Sequence, residues 1–293
     1  MELVIEIGDP QQKKLIELEM HPVFGVARDL NPPLNLTKVI LAADFDAKVN
    51  ELQGTTNYKS SRDDITASAK IVDINDGVAI VLSPMLFTEE EDSETRQFVY
   101  LHELMHAVNK RKFPPIPTDS YCMTTYLGNL HIFYDEYCAD RIAYKIIDEI
   151  YPTRSPRMQA KIENELKHFT LLLNNPKYYD AIAREIRLFR RHMINIDGFL
   201  AIITPFFDTV SLSIVHAWTI AEQYPEIDGQ DELSKSKFLN GKTLKLLAFL
   251  KTKYEKKSFD LKDGVDLVAD FMENFGMRFE DRPQQPYCHV LDI

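Results

Sequence analysis

Hydrophobic positions in the first half of the chain are grouped into short runs of the length and spacing typical of β-strands. Two apolar runs and one hairpin pattern are predicted to form a small sheet: residues 3–7, residues 38–43, and residues 67–83. The hairpin prediction rests on the sequence NDG at residues 75–77, which separates two strand-like runs and favours a tight turn. We therefore expect an α+β region at the start of the chain.

The pattern changes after residue 152, where apolar residues recur every three or four positions as in amphipathic helices. Such spacing covers residues 157–173, 178–194, 234–254 and 261–275. It has no fixed period, which argues against an array of repeats. The sequence thus predicts two domains, an α+β domain at residues 1–152 and an all-helical one at residues 153–293.

One long apolar segment, residues 199–220, has the length of a membrane span. It also contains Pro205, Asp208 and His216, and polar groups at the centre of a bilayer would cost several kcal/mol. We predict a buried core helix here, with a membrane-associated protein as the weaker alternative.

Composition and charge narrow the possible partners. The 293-residue chain has a formal net charge of −11, which would be repelled by a phosphate backbone and argues against direct nucleic-acid binding. Its N-terminus lacks the pattern of a secretory signal, and an odd number of scattered cysteines (Cys122, Cys138, Cys288) favours free thiols. The expected location is the cytoplasm, with no membrane partner; the sequence predicts no particular oligomeric state.

The strongest chemical signal is the sequence FVYLHELMHAVNKR at residues 98–111, which has apolar residues at helical spacing. His102 and His106 are four residues apart, so their imidazoles lie on one face of a helix and can hold one metal ion. Glu103 points beside that ion, where it can take a proton from water. This pattern is typical of zinc hydrolases, and acidic residues at 89–94 provide an N-cap for the helix.

A catalytic zinc ion takes three protein ligands, and the third is predicted in a second helical segment, residues 134–147. Glu136 and Asp140 lie one turn apart on the same face of that helix. We predict Glu136 as the third ligand and Asp140 as the acceptor for the free N–H of a ligand histidine. The predicted cofactor is one zinc ion per chain.

These two motifs together resemble the gluzincin class of zinc metallopeptidases, and LHELMHAVN with EYCADRIAYKIIDEIYP is more specifically similar to the ImmA/IrrE group. The resemblance covers about residues 68–152; Met105 and Ile142 depart from the residues usual in that group. It implies a zincin-like fold, with a small, mostly antiparallel sheet before the metal helix, and an extended substrate paired with an exposed strand edge. Residues 77–84 are the candidate edge, with a sheet interior as the alternative.

Several further residues are candidates for stabilising the oxyanion of a peptidase reaction. His131, Tyr126 and Tyr134 are nearest in sequence, in or beside a connection at residues 113–133 that is predicted to be irregular. Histidines of the second half, His192 and His216, could also approach the metal, as in some gluzincins. Packing is the ordinary role of an aromatic residue at each of these positions.

The sequence therefore predicts a cytoplasmic zinc metallopeptidase in which Glu103 is the general base and the partner is a protein or peptide substrate. Similarity to the ImmA/IrrE group implies regulatory cleavage of a specific protein. The alternative is a zinc-stabilised binding or sensor protein with little or no proteolytic activity, which an intact Glu103 disfavours.

Overall fold

Helices account for most of the residues that the computed structural model describes, which are 2–6, 10–29, 34–62, 65–87, 92–282 and 287–293. The strands are β1 (Glu2–Ile5), β2 (Leu36–Leu41), β3 (Ser61–Arg62), β4 (Ile65–Thr66), β5 (Ala69–Ile74), β6 (Gly77–Leu82), β7 (Met277–Glu280) and β8 (Tyr287–Val290). The α-helices are α1 (Pro10–Asp29), α2 (Phe45–Gln53), α3 (Ser93–Lys110), α4 (Tyr121–Ile150), α5 (Pro156–Leu173), α6 (Pro176–Arg190), α7 (Ile196–Gln223), α8 (Gln230–Ser234), α9 (Gly241–Glu255) and α10 (Val265–Met272). The predicted α+β class and the helical second half are confirmed.

The chain forms two compact units, each made of two separate stretches of the sequence. One comprises residues 1–111 and 138–161, and the other comprises residues 112–137 and 162–293. The predicted boundary between residues 152 and 153 coincides with none of these points, because the 30-residue helix α4 belongs to both units.

The first unit is built on a four-stranded sheet in the order β1-β2-β6-β5. The pairs β1–β2 and β2–β6 are parallel, and only β5–β6 is antiparallel. The expectation of a mostly antiparallel sheet is therefore wrong for this sheet. Parallel pairs need crossover connections, and α1 and α2 lie in those connections along the chain.

Strand β6 lies inside the sheet and strand β5 forms its edge. The predicted substrate edge at residues 77–84 is thus wrong, and the alternative of a sheet interior is correct. The sequence contains the reason, since GVAIVL is the continuous apolar run of a strand buried on both faces. Strand β5 instead carries Lys70 and Asp73, and charged side chains are common on edges.

Hydrogen-bond alternation fixes which backbone groups of β5 face outward. The N–H of Ser83 donates to the carbonyl of Ser68 at 2.8 Å, and the register pairs residue 70 with 81, 72 with 79 and 74 with 77. In an antiparallel pair every second residue bonds to the partner. The N–H and C=O groups of Ala69, Ile71 and Asp73 therefore point away from β6.

Helix α3 starts at a cap and a buried ion pair. Asp92 is the N-cap, and its carboxylate accepts from the N–H of Thr95 at 2.9 Å, whereas residues 88–91 lie outside the described residues. Glu19 of α1 and Arg96 of α3 are both buried, and Nη2 of the guanidinium lies 2.7 Å from the carboxylate. The pair joins α1 to α3, because each buried charge needs the other.

The second unit contains more than helices. Strands β7 and β8 pair as an antiparallel hairpin, so an all-helical second half was an incomplete prediction. Helix α7 includes Pro205 and covers the predicted core segment, with side chains such as Phe199 and Ile203 fully buried. Within the described residues it is the one helix long and apolar enough to cross a membrane, and half of its most apolar window is buried. A core helix of a soluble protein has the same properties.

Gly77 should resist substitution, since its φ of +144° is rarely adopted by other residues and an added Cβ would lie 2.2 Å from the carbonyl oxygen of Asn35. That oxygen also accepts from the N–H of Val78. We expect Gly77→Ala to lower the free energy of unfolding in urea by at least about 1 kcal/mol more than Gly54→Ala does. Gly54 is the matched control because its φ is +65° but no atom lies within 4 Å of the added Cβ. Equal losses would contradict the steric argument.

Candidate metal centre

Helix α3 brings the two histidines of the motif together. The Nε2 atoms of His102 and His106 are 2.9 Å apart, and the rings cross at 88°. This proximity follows from the four-residue spacing on one helical face, as predicted. Both side chains are partly buried, so their nitrogens are held in place but remain near solvent.

Glu136 of helix α4 completes a set of three potential ligands. The ligand atoms of His102, His106 and Glu136 all lie within 4.8 Å of one another. Two imidazoles and one carboxylate are a donor set that suits zinc, and each of the three is partly buried. The group is compatible with a metal ion, and the identity of the ion remains a prediction.

Asp140 contacts the first histidine as predicted. Its Oδ1 lies 2.9 Å from Nδ1 of His102, and its side chain is only 5% exposed. A negatively charged oxygen at this distance favours the tautomer in which Nδ1 carries the proton. The lone pair is then on Nε2, the nitrogen that faces His106, where a metal ligand needs it.

The charges around this group also favour a cation. Glu136 and Asp140 are one turn apart on the same face of α4, and like charges at that spacing destabilise a helix. Asp140 is buried, and Glu136 is 22% exposed, so water screens their repulsion only in part. A divalent cation between the imidazoles and Glu136 would offset this repulsion.

Glu103 is held by the edge strand of the sheet. Its Oε2 accepts a hydrogen bond of 2.8 Å from the backbone N–H of Ile71, one of the outward-facing groups of β5. Glu103 is a buried residue, 8% exposed, and adjoins His102 in sequence. Sequence analysis missed this partner because β6 rather than β5 was taken as the edge; the charged residues of β5 were the available signal.

A histidine from helix α7 reaches the third ligand. Nε2 of His216 lies 3.8 Å from Oε2 of Glu136, and the imidazole stacks on Phe169 of α5 at a centroid distance of 5.4 Å. His216 was one of two second-half histidines considered from the sequence. The other, His192, is an exposed residue in the turn after α6 and has a positive φ of 56°.

The three candidates for the oxyanion role, Tyr126, His131 and Tyr134, all lie on helix α4, which already begins at Tyr121. The prediction of an irregular segment up to residue 133 is therefore wrong for residues 121–133. At about 100° per residue, His131 and Tyr134 point roughly 140° and 160° away from the direction of Glu136. Tyr126 is about 15 Å from Glu136 along the helix axis.

Each of these three side chains has a packing partner. The hydroxyl of Tyr126 donates to the carbonyl of Phe279 and accepts from its N–H, and burial raises the pKa of this tyrosine to about 12. His131 stacks on Phe113 at 4.3 Å, and burial lowers the pKa of its imidazole. Tyr134 is 1% exposed and packs edge-on against a phenylalanine. The geometry thus favours packing roles over an oxyanion role.

Comparisons of the chain with models of protein families, with curated proteins and with solved structures find no match. The candidate site is therefore supported by its own geometry and by the donor set.

Removal of the third ligand should lower metal occupancy. We expect Glu136→Ala to bind substantially less than one zinc per chain when purified protein is analysed for metal, because two imidazoles alone leave the ion without its anionic ligand. Asp135→Ala is the matched control, since it removes the neighbouring carboxylate from a different helical direction. Asp140→Ala should weaken zinc binding by about 10- to 100-fold in a chelator competition. Full zinc content in Glu136→Ala would contradict the assignment.

Proposed function

We propose that the chain is a zinc-dependent metallopeptidase of gluzincin type that cleaves a protein or peptide substrate in the cytoplasm. The observation that carries the proposal is the group formed by His102, His106 and Glu136, with Glu103 next to the first ligand. The resemblance of the two motifs to the ImmA/IrrE group supports the same function and favours a regulatory role. The structure itself shows only the coarser features of the expected fold, an α+β first half and a helical second half.

In this proposal the two histidines and Glu136 hold the ion, which when bound supplies a Lewis acid for the scissile carbonyl and acidifies a water molecule. Asp140 keeps His102 in the tautomer that presents Nε2. Glu103 has one oxygen tied to β5, which leaves Oε1 to take a proton from the attacking water and pass it to the leaving amine.

We assign to His216 the role of donating a hydrogen bond to the substrate oxygen that becomes negatively charged in the reaction. Its Nε2 is 3.8 Å from Glu136, so a donated N–H can reach an oxygen held close to the third ligand. This assignment replaces the three candidates on α4, which are engaged in packing.

The substrate would pair with strand β5 as an added strand, because β5 is the edge of the sheet and presents outward backbone groups. The carbonyls of Ala69, Ile71 and Asp73 and the N–H groups of Ala69 and Asp73 face that direction. The N–H of Ile71 is already bonded to Glu103. An extended peptide on this edge would therefore lie beside the general base.

Conversion of Glu103 to the isosteric amide tests the proposed chemistry. We expect Glu103→Gln to retain zinc and the thermal stability of wild type within a few degrees, whereas peptide cleavage falls by about 10² to 10⁴ because the base is lost. The measurement compares cleavage of a synthetic peptide library by zinc-loaded wild type and variant. Glu17→Gln, at an exposed position of α1, is the control for removal of one carboxylate.

Wild-type rates in Glu103→Gln would remove this residue from the mechanism. Zinc binding without cleavage by either protein, across peptides and copurified partners, would instead support the zinc-stabilised binding or sensor protein.

The hydrogen bond from Ile71 should contribute to the rate by orienting Glu103. Ile71→Pro removes the N–H without removing a sheet hydrogen bond, because that group points away from β6. We expect kcat to fall about ten-fold with zinc content unchanged. Ile71→Val keeps the N–H and trims one methylene, so it should retain most of the wild-type kcat. An equal loss in both variants would indicate packing rather than orientation.

A further inference from the structure

Two cations and one carboxylate meet on the surface of the first unit, where α3 ends beside β5. Nζ of Lys110 lies 3.2 Å from Oδ2 of Asp73, and Nη2 of Arg111 lies 3.2 Å from Oδ1 of the same carboxylate. The side chains of Lys110, Arg111 and Asp73 are 75%, 41% and 56% exposed. One carboxylate thus faces two cations, and the cluster retains a net positive charge at a solvent-exposed position.

This cluster lies at a fixed distance from the proposed general base. Glu103 is bonded to the N–H of Ile71, and Asp73 is two residues further along β5, a distance of about 7 Å. Along α3, Lys110 is seven residues beyond Glu103, which corresponds to about 10 Å. At about 3.4 Å per residue of an extended peptide, these two distances correspond to two or three residues between the cluster and Glu103.

The side chains of β5 show which face of a bound peptide meets the cluster. Val72 belongs to the core formed with α2, and Ile74 packs against that core. Because side chains alternate along a strand, Ile71 and Asp73 point to the opposite face, where Lys110 and Arg111 contact Asp73. A residue paired directly opposite Asp73 presents its side chain on that same face.

We propose that Lys110 and Arg111 select substrates with an acidic side chain two or three residues from the cleaved bond, on the side of the bond toward Asp73. This inference rests on the proposed peptidase function and specifies its substrate preference. Exposed ion pairs are weak, so an incoming carboxylate can share or replace Asp73 as the partner of the two cations. Asp73 in turn weakens the attraction by occupying them.

The negative net charge of the chain restricts this preference to a single position of the substrate. A formal charge of −11 repels acidic peptides in general, so the attraction acts at the subsite beside Lys110 and Arg111 rather than along the whole substrate. A peptide with one acidic residue at that position should be favoured over one with acidic residues throughout.

Two substitutions should move the preference in opposite directions. Lys110→Glu reverses one charge and should lower the ratio of cleavage rates for acidic over neutral side chains at that position by about two- to five-fold. Asp73→Asn removes the carboxylate that both cations share and should raise the same ratio by a similar factor. A merely structural role of the ion pairs predicts a change of the same sign in both variants, because each breaks the contact between β5 and α3.

The experiment uses zinc-loaded full-length protein and a synthetic library of peptides with randomised positions, with cleavage sites identified by mass spectrometry. Lys145→Glu is the matched control: Lys145 is a 68% exposed residue of α4, and the substitution changes the net charge equally. It should leave the ratio unchanged. Thermal melting of each variant confirms that the proteins are folded.

Opposite shifts in Lys110→Glu and Asp73→Asn, with none in Lys145→Glu, would support the inference. Cleavage by all proteins with an unchanged ratio, or shifts of the same sign, would overturn the inference and leave the peptidase function standing. Absence of zinc-dependent cleavage by wild type would overturn both.

Discussion

The position of helix α3 is the constraint on which the candidate site depends, and this helix is held at its start, middle and end. The buried pair of Glu19 and Arg96 fixes its first turn against α1, and loss of either partner would leave a buried charge at a cost of about 3–5 kcal/mol. The bond between Glu103 and the N–H of Ile71 fixes its middle to β5. Exposed ion pairs at its end are weaker. The histidines lie between the first and last of these points, so their direction is set by the packing of the whole helix.

Much of this arrangement could be predicted from the sequence because it depends on local periodicity. His102 and His106 share a face of α3, Asp140 contacts His102, and Glu136 joins the same group, as four-residue spacing predicts. Strands β1, β2, β5 and β6, the turn between β5 and β6, and the long helices of the second half also follow from local patterns. Helix boundaries agreed to within a few residues for α5, whereas α3 began earlier and α6 ended earlier than predicted.

Predictions that depended on long-range pairing fared less well. The order of strands in the sheet is a tertiary property, so the edge was assigned to β6 although its uniform apolar sequence is typical of an interior strand. Residues 121–133 are helical although their sequence was predicted to be irregular, because tertiary packing outweighs weak local propensities. The continuous helix in turn directs His131 away from Glu136.

Strand β5 links two tasks that peptide cleavage would require. Its outward backbone groups are the surface on which an extended chain can pair, and one of them, the N–H of Ile71, is already bonded to Glu103. A peptide that binds there loses one possible hydrogen bond to the edge, a contribution of about 0.5–1.5 kcal/mol, but meets a carboxylate whose direction is fixed in advance. Orientation of a reacting group acts on kcat, whereas one additional ground-state hydrogen bond would strengthen substrate and transition-state binding alike and leave kcat unchanged. By holding Glu103 the edge strand would therefore raise kcat, whereas tighter binding of the substrate through the same N–H group would lower only KM.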